Sequence, residues 1–494
     1  MKLTLPIFLS FTVAAMAAAA TAPAPTAPLT FPQPSAKPPF TVAKDTTILT
    51  APLNADGTVD YLQALNTRYA ANLRADDNGY RLWITLLSDH DARLPGIDQI
   101  ARMAGADPSE PRHPWPVYQD FLGTRFGNAW EARYRAMQAA TKRPWQPAEV
   151  PELAEFLDTG KPLFDIAAAA ARKPRWWVPT YSPSATLATA VDSSDSTTRE
   201  LALLLCARAT RRAAAGDMDG FLADMQTVKL LARKLAIGTP LNTFYTALGI
   251  DLLADQSLAA IVSRGALSEA QCRAVGQALA ALPAIEAAHD LVDISLRWTA
   301  LDAASVIATG RAHQLTFPDG RVNFFDSIDP GAVDWDPVLR HLNRSADDAL
   351  RTMAIENRPD RLAAIDARNK PLTAITFSAG FLKQQPGEAR GHYTERVAAA
   401  LEAFFLTDAE HPGEIQRRNH VSNLLAQTAL AAAAFKAHTG RWPQQLSDLV
   451  PQFLPEIPRD INNTPFTLAT TKQGITFIGI PDRQRPLILG APDP

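Results

Sequence analysis

The sequence predicts a mainly α protein built of stacked antiparallel helical hairpins, with a small C-terminal α+β unit in which a helix lies on a two- to three-stranded antiparallel sheet. Three observations carry this. Apolar residues recur at helical spacing through most of the 494-residue chain. Between residues 197 and 283, capping-box pairs, glycines and prolines punctuate the pattern at intervals that suit helices joined by short loops. After Asp460 the pattern changes to short alternating runs, "NNTPFTLATTKQGITFIGIP", as strands require. With 47% apolar and 20% charged residues the chain is globular and long enough for one large core or two to three ordinary ones. A formal net charge of -3 gives no basic field, which argues against a nucleic acid or an anionic membrane held by bulk electrostatics.

The N-terminus opens with Lys2, an apolar run from Leu3 to Ala20, and small residues at Ala18 and Ala20. This pattern predicts a secretory signal peptide over residues 1–20 and a periplasmic or secreted mature chain, an uncleaved membrane anchor being the alternative. No membrane span is expected after cleavage: the uncharged stretch Val421 to Phe435, for example, is short and carries Asn423 and Gln427. Residues 21–55 are rich in Pro, Ala and Thr and are expected to form an extended tether.

The helical body, 56–410, begins with Tyr61, Leu62, Leu65 and Tyr69 at helical spacing, followed by Leu82, Trp83, Leu86 and Leu87. Thr197 to Glu200 has capping-box spacing and predicts a helix to Ala215, ended by Gly216. "GDMDGFLADMQTVKLLARKLA" predicts a second helix, residues 241–263 a third, and Ser268 with Gln271 the start of a fourth that Pro283 ends. A long helix is expected over 284–309, another from Asp336-Pro337, and more between Arg358 and Leu406.

The tail, 411–494, starts with a helix over about 413–438 whose buried face is Leu424, Leu425, Thr428, Ala432 and Phe435. Gly440 suits a left-handed helix stop. Trp442-Pro443 folds the chain back, with Trp442 expected to be largely buried. Strands are expected at 465–470 and 475–480, with 485–489 as a third. Taken together, "HTGRWP", "LSDLV", "LPEIPRD" and "NTPF" behind a long helix resemble the periplasmic head of type II secretion pseudopilins, which implies the fold of this segment. The prepilin-peptidase site and apolar stem that begin a pseudopilin do not stand before this helix, so pilus assembly is not implied. "GTVDYLQALNTRYAANLRADDNGYRLW" and "VDWDPVLRHLNRS" resemble a family of exported bacterial helical proteins that pair such a body with such a tail, a likeness that implies no activity.

Linear signatures of chemistry are few. The sequence contains no HExxH, GxSxG, GxGxxG or P-loop, and its two cysteines, Cys206 and Cys272, stand apart in apolar helical runs. No cofactor and no metal are therefore expected. "DMDG" at Asp217 to Gly220 lacks the Glu an EF-hand needs at its twelfth position, where Val228 stands, and reads as a helix cap. The carboxylates of "SDHD" (Ser88 to Asp91) and of Asp326, Asp329, Asp334 and Asp336 read as turn and cap residues. The most suggestive binding feature is "RWWVPTYS", where Arg175, Trp176, Trp177 and Tyr181 offer aromatic and cationic groups for a sugar or peptide cleft. The function expected is that of an exported, non-catalytic binding protein whose partner is a protein or envelope component held between helical pairs. The alternative is an exported hydrolase whose catalytic residues are assembled from loops.

Overall fold

The structure is a computed structural model that describes residues 37–489 except 87–95, 108–116, 191–194, 239, 266, 316–323, 376, 378–379, 472–473 and 479–486. Residues 1–20, expected as a signal peptide, and "SDHD" lie outside the described residues. The chain is mainly α, its helices packed against one another.

The first half contains α1 (Tyr61–Ala70), α2 (Gly79–Trp83), α3 (Ile97–Ala104), α4 (Tyr118–Phe126), α5 (Trp130–Ala140), α6 (Pro151–Thr159) and α7 (Lys161–Arg172). Gly79 is required at the start of α2, because a Cβ there would sit 2.3 Å from the Ala170 carbonyl oxygen of α7. Next come α8 (Asp195–Ala214), α9 (Met218–Leu235), α10 (Leu241–Val262) and α11 (Glu269–Ala280). Asp217 caps α9 by accepting from Gly220 N at 2.9 Å. Ser268 and Gln271 form the reciprocal cap of α11. The expected cap at Thr197 is corrected: α8 already begins at Asp195, so Thr197 lies buried inside the first turns.

α12 (Ala288–Asp290) passes through a π-helical turn (Leu291–Leu296) into α13 (Arg297–Ala308). Then follow α14 (Trp335–Met353), α15 (Arg358–Thr373), α16 (Arg390–Phe405) and α17 (His411–Thr439). α14 starts one residue earlier than Asp336, with Asp334 at its cap position. α17 stops at Gly440, whose φ of 77° places it in the left-handed region. The chain ends in short strands β1 (Thr467–Thr471), β2 (Gly474–Ile478) and β3 (Leu487–Leu489), paired antiparallel in that order. The expected seat of α17 on a sheet is not what its contacts show. α17 packs against α10 and α11, and the strand contact of this region runs from β3 to α10.

Two apolar clusters form the core. One joins helices α2 to α11 with α17; the other joins Phe40, Val59, Tyr61 and Leu65 to α13, α14 and α16. Residues 37–55, expected in the tether, belong to the second. Thr46 and Thr47 are buried, Tyr61 donates to the Thr47 carbonyl at 2.8 Å, and the Asn343 amide donates to the Thr46 carbonyl at 2.8 Å. Threonine hydroxyls and long-range side chains satisfy this non-helical backbone, so it can be buried. Cys206 on α8 and Cys272 on α11 are both buried and unpaired.

α10 is long and apolar enough to cross a membrane by length and composition. Here it is a core helix, flanked by α8, α9 and α17, and it carries the buried Asp251 and Asp255.

Candidate functional site

The four residues of the aromatic loop do not gather into one cleft. Trp176 is buried in the core with ring centroids 6.0 Å from Tyr80 and 5.7 Å from Trp83. Trp177 is half-buried, its backbone N–H donating to Asn78 Oδ1 at 2.9 Å. Arg175 is exposed and reaches the Ala71 carbonyl at 3.5 Å. Tyr181 lays its ring over Gly96, where a Cβ would come within 2.1 Å of it. The loop is thus a packing element that closes α2 against α7. The Asp-rich loop is also occupied by structural roles: Asp329 accepts from Gly331 N, Asp334 pairs with Arg390 at 2.7 Å, and Asp336 accepts from Thr41 N at 2.7 Å. No group of three or more His, Cys, Asp or Glu placed to hold a metal occurs among the described residues.

The chemistry that sequence reading missed lies along α17. Toward α10, Asn419 and Asn423 stand one turn apart and donate to Asp251 Oδ2 at 3.1 and 2.8 Å. From α9, Lys229 places its ammonium 2.5 Å from Asp255 Oδ1 and 3.2 Å from Asp251 Oδ1, and donates to Asn423 Oδ1 at 2.7 Å. Arg233, one turn further along α9, meets Asp251 Oδ1 at 2.6 Å and the Pro283 carbonyl at 2.6 Å. Lys229, Asp251 and Asp255 are 1%, 0% and 4% exposed, so this is a sealed clasp of two cations and two carboxylates. Burial works against the charge on Asp251, but Lys229, Arg233 and the Asn423 amide outweigh it and hold its carboxyl below the usual range. Asp255 has fewer partners, and burial pushes it up to about 6. One signal in the sequence pointed here: Asp251 and Asp255, one turn apart, are the only charges in α10, and Lys229 and Arg233 repeat that spacing on α9.

Asp302 on α13 is another buried carboxyl displaced upward, to about 6, chiefly by burial. It accepts from Thr186 Oγ1 and from Leu187 N, the latter at 2.7 Å, and so anchors the turn at residues 187–189. Its native state binds a proton more tightly than the unfolded chain, so its contribution falls as pH rises from about 4 to about 6 and the burial penalty is complete above that. A displacement from the ordinary 3.8 to about 6 corresponds to roughly 3 kcal/mol. Relative to Asp302→Asn, which keeps the acceptor, the wild type should therefore gain stability between pH 7 and pH 4.5. Urea melts of both proteins at the two pH values measure this, and parallel pH dependences would show that the Asp302 carboxyl is not displaced.

Beside the stripe of Asn419 and Asn423, α17 floors a cleft of about 690 Å³. Gln416, His420, Leu424 and Gln427 recur at helical spacing along the floor, and Ile285 and Ile457 stand in the two walls. A second cleft of about 380 Å³ between α11 and α17 shares Gln427, Leu454 and Pro455 with the first, so the two adjoin along α17 beneath the 451–461 segment. The rim carries Arg417 and Arg459 together with Glu286, Glu456 and Asp460. Trp442, expected in the core, is half-buried beside this region and stacks under the Lys436 ammonium at 4.3 Å from the ring centroid. The turn at Trp442-Pro443 leaves the indole at the helix end, where one face meets solvent and the lysine covers it. Compared with protein-family models, curated proteins and solved structures, the chain matches none.

Proposed function

We propose that this chain is a non-catalytic binding protein of the cell envelope that holds an extended segment of a partner protein in the cleft along α17. The observation that carries the reading is that the two clefts adjoin, their linings following α17 from Gln416 to Ala434, roughly 27 Å of helix. A cleft that sets Leu424, Ile285 and Ile457 beside the amides of Gln416 and Gln427, with a rim of both charge signs, suits a peptide, which presents side chains and a polar backbone together. A hydrolase site is expected to gather perturbed titratable groups in the cleft itself. The buried carboxyls displaced upward, Asp224, Asp255, Asp302 and Glu410, lie outside the cleft lining, which favours binding over an exported hydrolase. In this reading residues 1–20 direct export. The segment 411–494, with its pseudopilin-like order of helix, Gly-Arg-Trp-Pro turn and strands, is the module that roofs the cleft.

A photo-crosslinking residue at Gln427, placed in the full chain in its native envelope, should yield a discrete adduct. Glu131→photo-crosslinker on the exposed face of α5 should not. Adding Ile457→Arg should abolish the Gln427 adduct. Equal labelling from both positions, or an adduct indifferent to Ile457→Arg, would overturn the reading.

A further inference from the structure

α10 presents a second face, away from the buried clasp, to a cleft of about 440 Å³ between α5, α8 and α10. Gly249, Leu253 and Gln256 recur along that face, Leu203 and Arg199 come from α8, and Lys142 stands just past the end of α5. Its lining contains two cations and no carboxylate. Elsewhere on α8 the arginines are spoken for: Arg208, Arg211 and Arg212 pair with Asp224, Asp158 and Asp217. Lys142 and Arg199 are exposed, and among the described residues neither side chain forms a hydrogen bond or an ion pair.

Gly249 adds an independent observation. A glycine in the middle of a 22-residue helix gives up helix propensity, and the usual reason is a neighbour that leaves no room for a side chain. Here a Cβ would meet nothing within 4 Å, so close packing within the protein does not explain the residue. What the glycine does is keep the floor of the cleft open.

We propose that this cleft binds a small amphiphilic carboxylate, its anionic head paired with Lys142 and Arg199 and its apolar body laid over Gly249 against Leu203 and Leu253. Charge complementarity selects the anion: with no acidic side chain in the lining, a bound carboxylate is the counterion that the two cations lack. The volume lies in the range of small-molecule sites, and the apolar floor supplies the area that burying a short hydrocarbon chain needs. This site is separate from the α17 cleft, and neither proposal rests on the other.

The test uses decanoate with the full-length protein, and decanol as its uncharged counterpart, by isothermal titration. Decanoate should bind saturably at one site per chain, at least tenfold more tightly than decanol, and more weakly as salt is raised. Lys142→Gln with Arg199→Gln should lower decanoate affinity at least tenfold. Gly249→Leu fills the floor and should do the same, while its melting temperature stays equal to or above that of the wild type, which separates a blocked site from a damaged fold. The proposal is overturned if decanol binds as well as decanoate, if no binding occurs up to millimolar decanoate, or if folded Gly249→Leu retains wild-type affinity.

Discussion

Replacing Lys229 by methionine is expected to lower stability by about 3–5 kcal/mol at pH 8, a large share of what a domain of ordinary stability has to lose. Methionine keeps most of the volume, so little of the loss is packing. The loss comes from Asp251 and Asp255, which are 0% and 4% exposed and would be left with Arg233 as the one remaining cation of the clasp. Asp255 suffers most, because the Lys229 ammonium at 2.5 Å is its ion-pair partner. Its carboxyl already sits at about 6, raised by burial, and loss of the lysine would raise it further. A carboxyl displaced upward is relieved as pH falls through its folded value, so the cost of Lys229→Met should be smaller at pH 5 than at pH 8. The double variant Lys229→Met with Asp255→Leu removes both members of the pair and should recover most of the lost stability, since an apolar replacement of a buried ion pair is often neutral. Guanidinium melts of wild type, single and double variants at both pH values decide the matter. A single variant within 1 kcal/mol of wild type at pH 8 would mean that water or rearrangement solvates the carboxylates.

Glu414→Gln should be comparably damaging, by about 3–5 kcal/mol, without the pH dependence expected of Lys229→Met. Glu414 is 4% exposed, and Arg361, Arg358 and Arg417 all point at it: Arg361 Nε bonds Oε1, Arg358 Nε lies 3.6 Å from Oε2, and Arg417 lies 3.4 Å from Oε1. Arg361 is 1% exposed and also donates to the Ile355 and Glu356 carbonyls at 2.5 and 3.0 Å. Glutamine keeps the shape and removes the carboxylate charge that these guanidinium groups face. A guanidinium does not escape by releasing its proton, as a buried carboxyl does by taking one up. The cost of Glu414→Gln should therefore be nearly the same at pH 5 and pH 8. Because the pair ties α15 to α17, hydrogen exchange should report the loss first in the amides of α15. Unchanged protection there, with a small global effect, would show that Glu414 is a local helix-terminal charge and not the tie between the two helices.

Both predictions rest on side chains whose partners are far away in sequence, and this separates what could be read early from what could not. The starts of α9 and α11 were legible because Asp217 and Ser268 act on N–H groups three residues away. The stop of α17 was legible because Gly440 acts by its own φ. Thr197 misled because Thr-x-x-Glu spacing also occurs within a helix, and Glu200 instead accepts from Tyr118 N, 82 residues away. "RWWVPTYS" misled because aromatic residues serve a core as well as a cleft, and Trp176 found Tyr80 and Trp83.

The sequence by itself determined the mainly α character, most helix boundaries between 197 and 283, and the left-handed stop at Gly440. Each is governed by neighbours within about four residues, the range over which backbone hydrogen bonds and caps operate. The tertiary structure decided which face of α17 meets Asp251 and which floors a cleft, that Lys229 is buried at all, and that residues 37–55 join a core. Lys229 stands 194 residues from Asn423. An ammonium group is stable out of water only when its counterions are brought to it, and whether they are is settled by packing between helices, which local pattern does not encode.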